Sequence, residues 1–391
     1  MKKKSILVCL KSLRRAGTEV ACLNLLRTID YSKYSVTMLL YETEGELLHE
    51  LPKEVEVCQL TFKNEDLCRE LYDAFYAGRV VKGVTAKIVD IAIRVMDKLK
   101  PNRNHRYSFM LKNAIWNRRN YDYILDFQGY GYFMTAFVSG NGFRGKKLTW
   151  IHDENVDWSS YVGDYLDGFD YYCGVSKACA KALKDRYPKY SDQMCVFYNI
   201  LDTKRIINRS EETIAEISEL KTIPSFVTVG RYEDQKGYPH AIRAAKRLKD
   251  DGYKFVWFCI GMGSKETEIK QLAAEIEVDD CIKFVGERSN PYPYIKNCMI
   301  YVQPSRNEGY GIAIAEARIL KKCIVATDLE CVKEQITDKE NGYLIPYDAD
   351  ALAEKLKELL DHSDLRTKVE KKLAEELELI GNKPIYFRYK E

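Results

Sequence analysis

Paired cysteines, metal-ligand spacings, a strong net charge and long apolar runs are all missing from this sequence, and each absence closes off a class of protein. No apolar run approaches the roughly 18 residues that a membrane-crossing helix needs. The opening Met1-Lys-Lys-Lys4 is followed only by Ser5-Ile-Leu-Val-Cys-Leu10 before Lys11 and Arg14-Arg15 intervene, which reads as a first buried strand and not as a secretory leader. The twelve cysteines are scattered singly, with no CxxC and no His at ligand spacing. They are expected to be reduced core thiols of a cytosolic protein. A net charge of +3 over 391 residues is too small to argue for nucleic acid as a partner.

What is present is ordinary in amount: 46% hydrophobic and 30% charged residues, in a chain long enough for two domains with separate cores. Strand-like runs alternate with helical patterns along both halves, which predicts α/β domains with parallel sheets. In the first half the runs are Ile6–Leu10, Ser35–Leu40, the region of residues 55–60, Tyr123–Phe127, Lys147–Ile151 and Cys195–Tyr198. Gly17 lies in the loop after the first run, and His152 follows the run Lys147-Leu-Thr-Trp-Ile151 directly. Residues just past a strand's carboxyl end are where open α/β sheets bind ligands. Ser176 is placed as the N-cap of a helix from about Lys177. The polar stretch up to Pro224 reads as a linker, giving expected boundaries of 1–203, a linker over 204–224, a second domain over 225–375 and a tail over 376–391 that could cross back to the first domain.

The second half opens with Ser225-Phe-Val-Thr-Val-Gly230, then Arg231 and, five residues on, Lys236-Gly237, a loop whose two cations suit a diphosphate. Gly261-Met-Gly263 follows the next strand but lacks a third glycine, so it reads as a tight turn and not a dinucleotide fingerprint. Asp348-Ala-Asp350 is read as a helix start with Asp350 as N-cap, not as a metal site, and a helix is expected from about Val332 carrying Glu334. The most informative stretch is Pro304-Ser-Arg-Asn-Glu308-Gly-Tyr-Gly311-Ile-Ala-Ile-Ala-Glu316-Ala: a strand, a loop with two glycines and a helix from about Ile312. Gly309, Tyr310 and Gly311 bring N–H groups to a helix N-terminus, where anions are held. Glu308 belongs to the loop and Glu316 lies about one turn into the helix. On spacing alone a plain helix entry is as good a reading.

Those residues, with Gly230-Arg231 and Lys236-Gly237, resemble the signature of the retaining nucleotide-sugar glycosyltransferases of family 4, also called glycosyl transferases group 1. The resemblance is strongest from Ser225 to Leu360. It implies the GT-B architecture, two Rossmann-like domains facing across a cleft, and transfer with retention from a nucleotide-sugar, a UDP-sugar being expected, to a glycan or lipid-linked acceptor, as in surface polysaccharide assembly. It implies no cofactor and no metal. Arg231 and Lys236 would clamp the diphosphate, Gly17 would face it, Arg288 would lie beside the nucleobase, Glu316 would take the ribose, Glu308 the sugar hydroxyls, and His152 would meet the sugar. A hexosyltransferase is expected; a noncatalytic glycan-binding subunit, an epimerase or a phosphorylase of the same architecture are the alternatives.

Charge is also unevenly placed. Arg79 to Arg119 holds eleven Lys or Arg against Asp90 and Asp97, so this segment carries +9 and the rest of the chain −6. Within it Val80, Val84, Ile88, Ile91, Val95 and Leu99 recur at helical spacing, with Lys87, Arg94 and Lys98 along one flank. Either the stripe packs into a core, or it docks the enzyme peripherally on an anionic membrane, the expectation adopted here.

Overall fold

The computed structural model describes residues 2–76, 79–118 and 120–380. It divides into two compact units, the first ending at Ile200 and the second beginning at Leu201. The first contains β1 (Lys4–Leu10), β2 (Tyr34–Leu40), β3 (Val55–Gln59), a short antiparallel pair β4 (Thr61–Phe62) and β5 (Ala114–Ile115), then β6 (Asn120–Asp126), β7 (Arg144–Ile151), β8 (Tyr171–Gly174) and β9 (Met194–Val196). The second contains β10 (Ser225–Val229), β11 (Val256–Ile260), β12 (Ile282–Gly286), β13 (Ile300–Gln303), β14 (Cys323–Thr327) and β15 (Tyr343–Ile345).

Both main sheets are parallel and share one winding scheme, β3-β2-β1-β6-β7-β8-β9 and β12-β11-β10-β13-β14-β15. Helices cover both faces, so the central strands are buried on both sides and consist of near-continuous apolar residues, as in Ile6-Leu-Val-Cys-Leu10 and Val256-Trp-Phe-Cys-Ile260. Two polar side chains inside the second sheet are paired: the Trp257 indole N–H donates to Thr228 Oγ1 at 3.0 Å, and Thr228 Oγ1 donates to the Val302 carbonyl at 2.8 Å. The direction in which strands are added reverses between β1 and β6 and between β10 and β13, where the paired strands stay parallel. At each reversal the loops leaving the two neighbouring strands diverge and open a crevice at their carboxyl ends.

Several expectations needed correction. Residues 204–224 include the helices Thr203–Ser210 and Ile217–Thr222, which belong to the second unit, because Ile206 and Leu220 are buried there. The N-cap of the helix Ala349–Asp361 is Asp348, whose carboxylate accepts from the Ala351 N–H at 2.8 Å; Asp350 lies inside the helix and pairs with Arg247 at 2.6 Å. Near Val332 the helix is a single turn, Glu330–Lys333, and Glu334 follows it. Ser176 does cap its helix, accepting from the Cys179 N–H. Residues 376–380 continue the helix Ser363–Ile380, and the remainder of the expected tail, residues 381–391, lies outside the described residues. Two of the cysteines are not solitary: Cys173 and Cys195 face each other across β8 and β9 with their sulfurs 3.2 Å apart.

One glycine sets how closely the loops after β10 and β13 approach. Gly237 has φ +69°, and a Cβ there would lie 1.7 Å from the Pro304 carbonyl oxygen. Gly252 has φ +84° with open space around it. Gly237→Ala should therefore combine steric overlap with strain and cost more than about 2 kcal/mol, whereas Gly252→Ala should cost strain alone, about 1 kcal/mol. Urea unfolding midpoints of the two variants check the difference; equal losses would show that the contact with Pro304 is easily relieved.

Candidate active site

In the second unit, the loops after β10 and β13 are joined by backbone and side-chain bonds. The Arg306 N–H donates to the Gln235 carbonyl at 2.8 Å, and the Gln235 amide donates to the Asn307 carbonyl at 3.2 Å. This zipper, with Gly237 beneath it, brings Lys236 to Glu308: Nζ lies 2.7 Å from Oε1, with only 18% and 7% of the two side chains exposed. Gly230 eases the approach, since a Cβ there would lie 3.2 Å from the Lys236 stem, a tight contact. Ser305 Oγ donates to the same Glu308 oxygen at 2.7 Å, and Gln303 Nε2 reaches it at 3.4 Å while being held by Tyr301. Three donors thus converge on one carboxylate oxygen, which keeps Glu308 oriented inside the crevice.

Gly311, with φ +79°, starts the helix Ile312–Ile319 and, being glycine, supplies no side-chain cap of its own. The positive end of the helix dipole lies at this turn. The loop is tethered from below by Gln335, whose amide donates to the Tyr310 carbonyl, and by Cys331, whose thiol donates to the Glu308 carbonyl at 3.2 Å.

Glu316, on the buried side of that helix, has a different setting. Its Oε1 accepts from the Tyr292 hydroxyl at 2.9 Å. Burial pushes its carboxyl up to about 7, and the Tyr292 bond opposes this only in part. Tyr301 lies beside both glutamates, since each raises its hydroxyl pKa after burial itself.

Arg231 is exposed on the loop after β10, where its charge helps to hold the Glu233 carboxyl below the usual range, behind the hydrogen bonds from Ser264. Arg288 follows β12, with Nε 3.3 Å from the Tyr294 hydroxyl and a guanidinium nitrogen 3.7 Å from Glu216. Of the two cations of the β10 loop, Lys236 is paired with Glu308 and Arg231 is exposed.

The first unit carries its own cluster at the reversal between β1 and β6. Gly129, Tyr130 and Gly131 all have positive φ, 57°, 55° and 66°. This loop lies against the end of β7, where a Cβ on Gly129 would be 2.1 Å from the Trp150 carbonyl oxygen. Tyr130 stacks on His152 with ring centroids 5.6 Å apart and planes 21° apart. His152 Nε2 lies 2.7 Å from the Phe127 carbonyl oxygen, so Nε2 carries the proton and Nδ1 is the acceptor. Burial lowers its pKa to about 4, opposed by that bond. Asp126, beneath the loop, accepts from Thr149 Oγ1 at 2.7 Å and is pushed up to about 6 by burial. Gly17 is exposed at the N-terminus of the helix Gly17–Thr28, and Ala16 before it supplies no side-chain cap.

Sequence reasoning missed Tyr292, Gln303, Ser305 and Tyr130 as partners of the named residues. Ser305 had a signal, three residues before Glu308; Tyr292 had none, being 24 residues from Glu316. Among the described residues no three His, Cys, Asp or Glu side chains come together as a metal site would need.

Two doubly wound units with glycine-bearing loops thus place a buried carboxylate and a helix N-terminus at the reversal of the second sheet. Residues 210–376 match the family Glycosyl transferases group 1, and solved structures of GT-B architecture share the fold. It is 28% identical over 173 residues to the N-acetylgalactosamine-N,N'-diacetylbacillosaminyl-diphospho-undecaprenol 4-alpha-N-acetylgalactosaminyltransferase of Campylobacter jejuni, a match covering 44% of this chain and 45% of that one. It is 28% identical over 256 residues to the putative colanic acid biosynthesis glycosyltransferase WcaL of Salmonella typhimurium, covering 60% of this chain and 61% of the relative. The chain thus spans less than two thirds of either relative. Anabaena HepE in complex with UDP and glucose has the same fold, with a TM-score of 0.69 over 94% of this chain and 93% of that one at 16% identity.

The two perturbed groups make opposite pH predictions. Glu316 has a folded-state pKa raised from 4.5 to about 7, so its contribution to stability is full below about 4.5 and is lost as pH rises through about 7. His152 has a folded-state pKa lowered from 6.5 to about 4, so its contribution is present above about 6.5 and is lost as pH falls through about 4. Thermal melts should show the loss of stability between pH 5 and 8 shrinking in Glu316→Gln, and NMR should show the His152 ring neutral from pH 5 upwards. A His152 titration centred near the free value of about 6.5 would contradict the buried, carbonyl-bound ring.

Proposed function

We propose that this protein is a retaining, metal-independent hexosyltransferase that moves a sugar from a nucleotide-diphosphate donor, a UDP-sugar, to a glycan or lipid-linked glycan in surface polysaccharide assembly. The observation that carries the reading is Lys236 against Glu308 at 2.7 Å beside the N-terminus of the helix Ile312–Ile319, within the segment that matches the family. The Campylobacter jejuni relative's name specifies a diphospho-undecaprenol-linked acceptor, and the HepE structure holds UDP and glucose, which supports the donor and acceptor classes.

Transfer breaks the bond between the anomeric carbon and the diphosphate oxygen, and negative charge grows on the leaving diphosphate. Groups already aimed at that charge lower the barrier most. Lys236 and the amides of Gly309 to Gly311 fill this role, with Arg231, exposed on the same loop as Lys236, swinging onto the diphosphate. When the diphosphate arrives, Lys236 shares its charge between phosphate and Glu308, and the Ser305 bond keeps the carboxylate in place. Glu308 Oε1 carries the three donors, which leaves Oε2 for a sugar hydroxyl. Glu316 takes the ribose hydroxyls in exchange for Tyr292, since a ribose diol offers the same O–H donors as the tyrosine it displaces. Arg288 lies beside the base, Gly17 faces the diphosphate, and His152, neutral and with Nδ1 as acceptor, meets the sugar.

A noncatalytic subunit of the same fold is the second reading; the intact Lys236–Glu308–Ser305 arrangement argues against decay of the site. Arg231→Ala and Lys236→Ala should each reduce turnover at least tenfold, since one charge-assisted contact to a diphosphate is worth at least about 1.5 kcal/mol. EDTA should leave activity intact; loss restored by manganese would sink the metal-independent assignment. Glu316→Gln should weaken binding of the bare nucleoside diphosphate, while Glu308→Gln should spare that binding and lower turnover. Calorimetry with UDP, set beside initial rates, separates the two, and equal loss of UDP affinity in both variants would contradict the division.

A further inference from the structure

The apolar stripe of the helix Val84–Leu99 does not pack into a core. Val84, Ile88, Ile91, Val95 and Leu99 are each more than half exposed, between 51% and 75%. Val80, also exposed, precedes the helix instead of joining it. The packed face carries Ala86, Asp90 and Ile93, roughly half a turn round the helix from the stripe at about 100° per residue. The anchor there is an ion pair: the Arg106 guanidinium donates to Asp90 at 2.5 Å and to the Leu71 carbonyl at 2.6 Å, with both charged side chains under 10% exposed. A helix held by a buried ion pair on one side and showing solvent a row of β-branched residues and leucine on the other is not explained by the stability of its own unit.

We propose that this helix lies in the interface of an anionic lipid bilayer, stripe downwards, and seats the first unit on it. Charge decides the occupant. Arg106 is buried, and Arg94, Arg103 and Arg118 are paired with Asp90, Asp164 and Glu56. Arg79, Lys82, Lys87, Lys98, Lys100 and Lys112 remain exposed around the stripe. Lys87 and Lys98 flank it on the side where Arg94 also lies. An apolar stripe bordered by lysines has the amphipathic form of an interfacial helix, and at 16 residues it is about 24 Å long, enough to lie flat. The remainder of the chain, at −6, is repelled by the same surface, so orientation as well as attraction follows.

The docked face is connected to the His152 cluster. Helix His105–Asn113 packs on Val84–Leu99, and its Tyr107 hydroxyl donates at 2.8 Å to the Gly131 carbonyl, in the loop whose Tyr130 stacks on His152. Docking itself does not depend on the transferase reading. Its use, delivering a lipid-linked acceptor from the bilayer to that loop, does rest on it.

The test is co-sedimentation of the full chain with vesicles of phosphatidylglycerol and phosphatidylcholine in equal parts, and with phosphatidylcholine alone. Binding to the anionic vesicles only is expected, falling steeply as salt rises from about 0.1 to about 0.5 M. Ile88→Glu with Ile91→Glu, and separately Lys87→Glu with Lys98→Glu, should each weaken it at least tenfold. These positions are exposed, so near-UV circular dichroism should be unchanged, as should hydrolysis of a UDP-sugar without acceptor. Equal binding to both vesicles, binding to neither, or full binding by the isoleucine variant would overturn the proposal. So would a wild-type dimer in sedimentation velocity that the isoleucine variant abolishes, since the stripe would then be a seam between two copies. Vesicle binding without any UDP-sugar turnover would leave docking intact and remove the transferase reading instead.

Discussion

The contact between Gly237 and the Pro304 carbonyl is the constraint on which the candidate site depends. A doubly wound sheet brings the loops after β10 and β13 to one crevice, but it does not specify how near they come. A left-handed glycine with no Cβ lets the two backbones touch, and the hydrogen bonds through Gln235 and Arg306 hold them there. Only at that separation does the Lys236 ammonium reach a carboxylate 72 residues away in sequence. Moving either loop outwards would leave Glu308 buried without its cation, which is expensive at 7% side-chain exposure.

The two glutamates show how environment divides labour between chemically identical groups. Glu308 is surrounded by donors: an ammonium, a hydroxyl and an amide on one oxygen. Glu316 is buried with one phenol as partner, and desolvation dominates, so its carboxyl holds a proton up to about 7. The first is held in one orientation beside the Lys236 ammonium. In the function proposed above, the second would exchange a tyrosine hydroxyl for the paired hydroxyls of a ribose, which would stabilise its charged form. His152 is treated in the same way as Glu316, kept neutral by burial, with its tautomer set by the Phe127 carbonyl.

The helix Val84–Leu99 reverses the usual relation between pattern and packing. Its stripe has the spacing of a core-facing helix, yet the side that packs is the one with a charged residue, because Asp90 finds Arg106 there. Hydrophobic periodicity reports which residues share a face; it does not report whether that face is covered. The same limit appears at Asp348 and Asp350, where either carboxylate could cap on pattern alone and where the helix begins decided between them.

Alternation of apolar runs with helical patterns was enough to determine two α/β units, because strands buried on both faces must be almost wholly apolar and their crossovers must be helices. The loop positions of Glu308, Lys236, Arg231, Gly311 and His152 were legible for the same reason, each lying at or just past a predicted strand end. The partners were not. That Tyr292 meets Glu316, that Ser305 and Lys236 share one oxygen of Glu308, that Tyr130 stacks on His152 and that Cys173 faces Cys195 are outcomes of strand order and backbone approach. Strand order is set by long-range packing between residues with no local relation, and side-chain exposure is set by what the rest of the fold covers. Sequence could therefore name the charges and the stripe, and only the tertiary structure decided which charges were paired and which face of the helix was left to solvent.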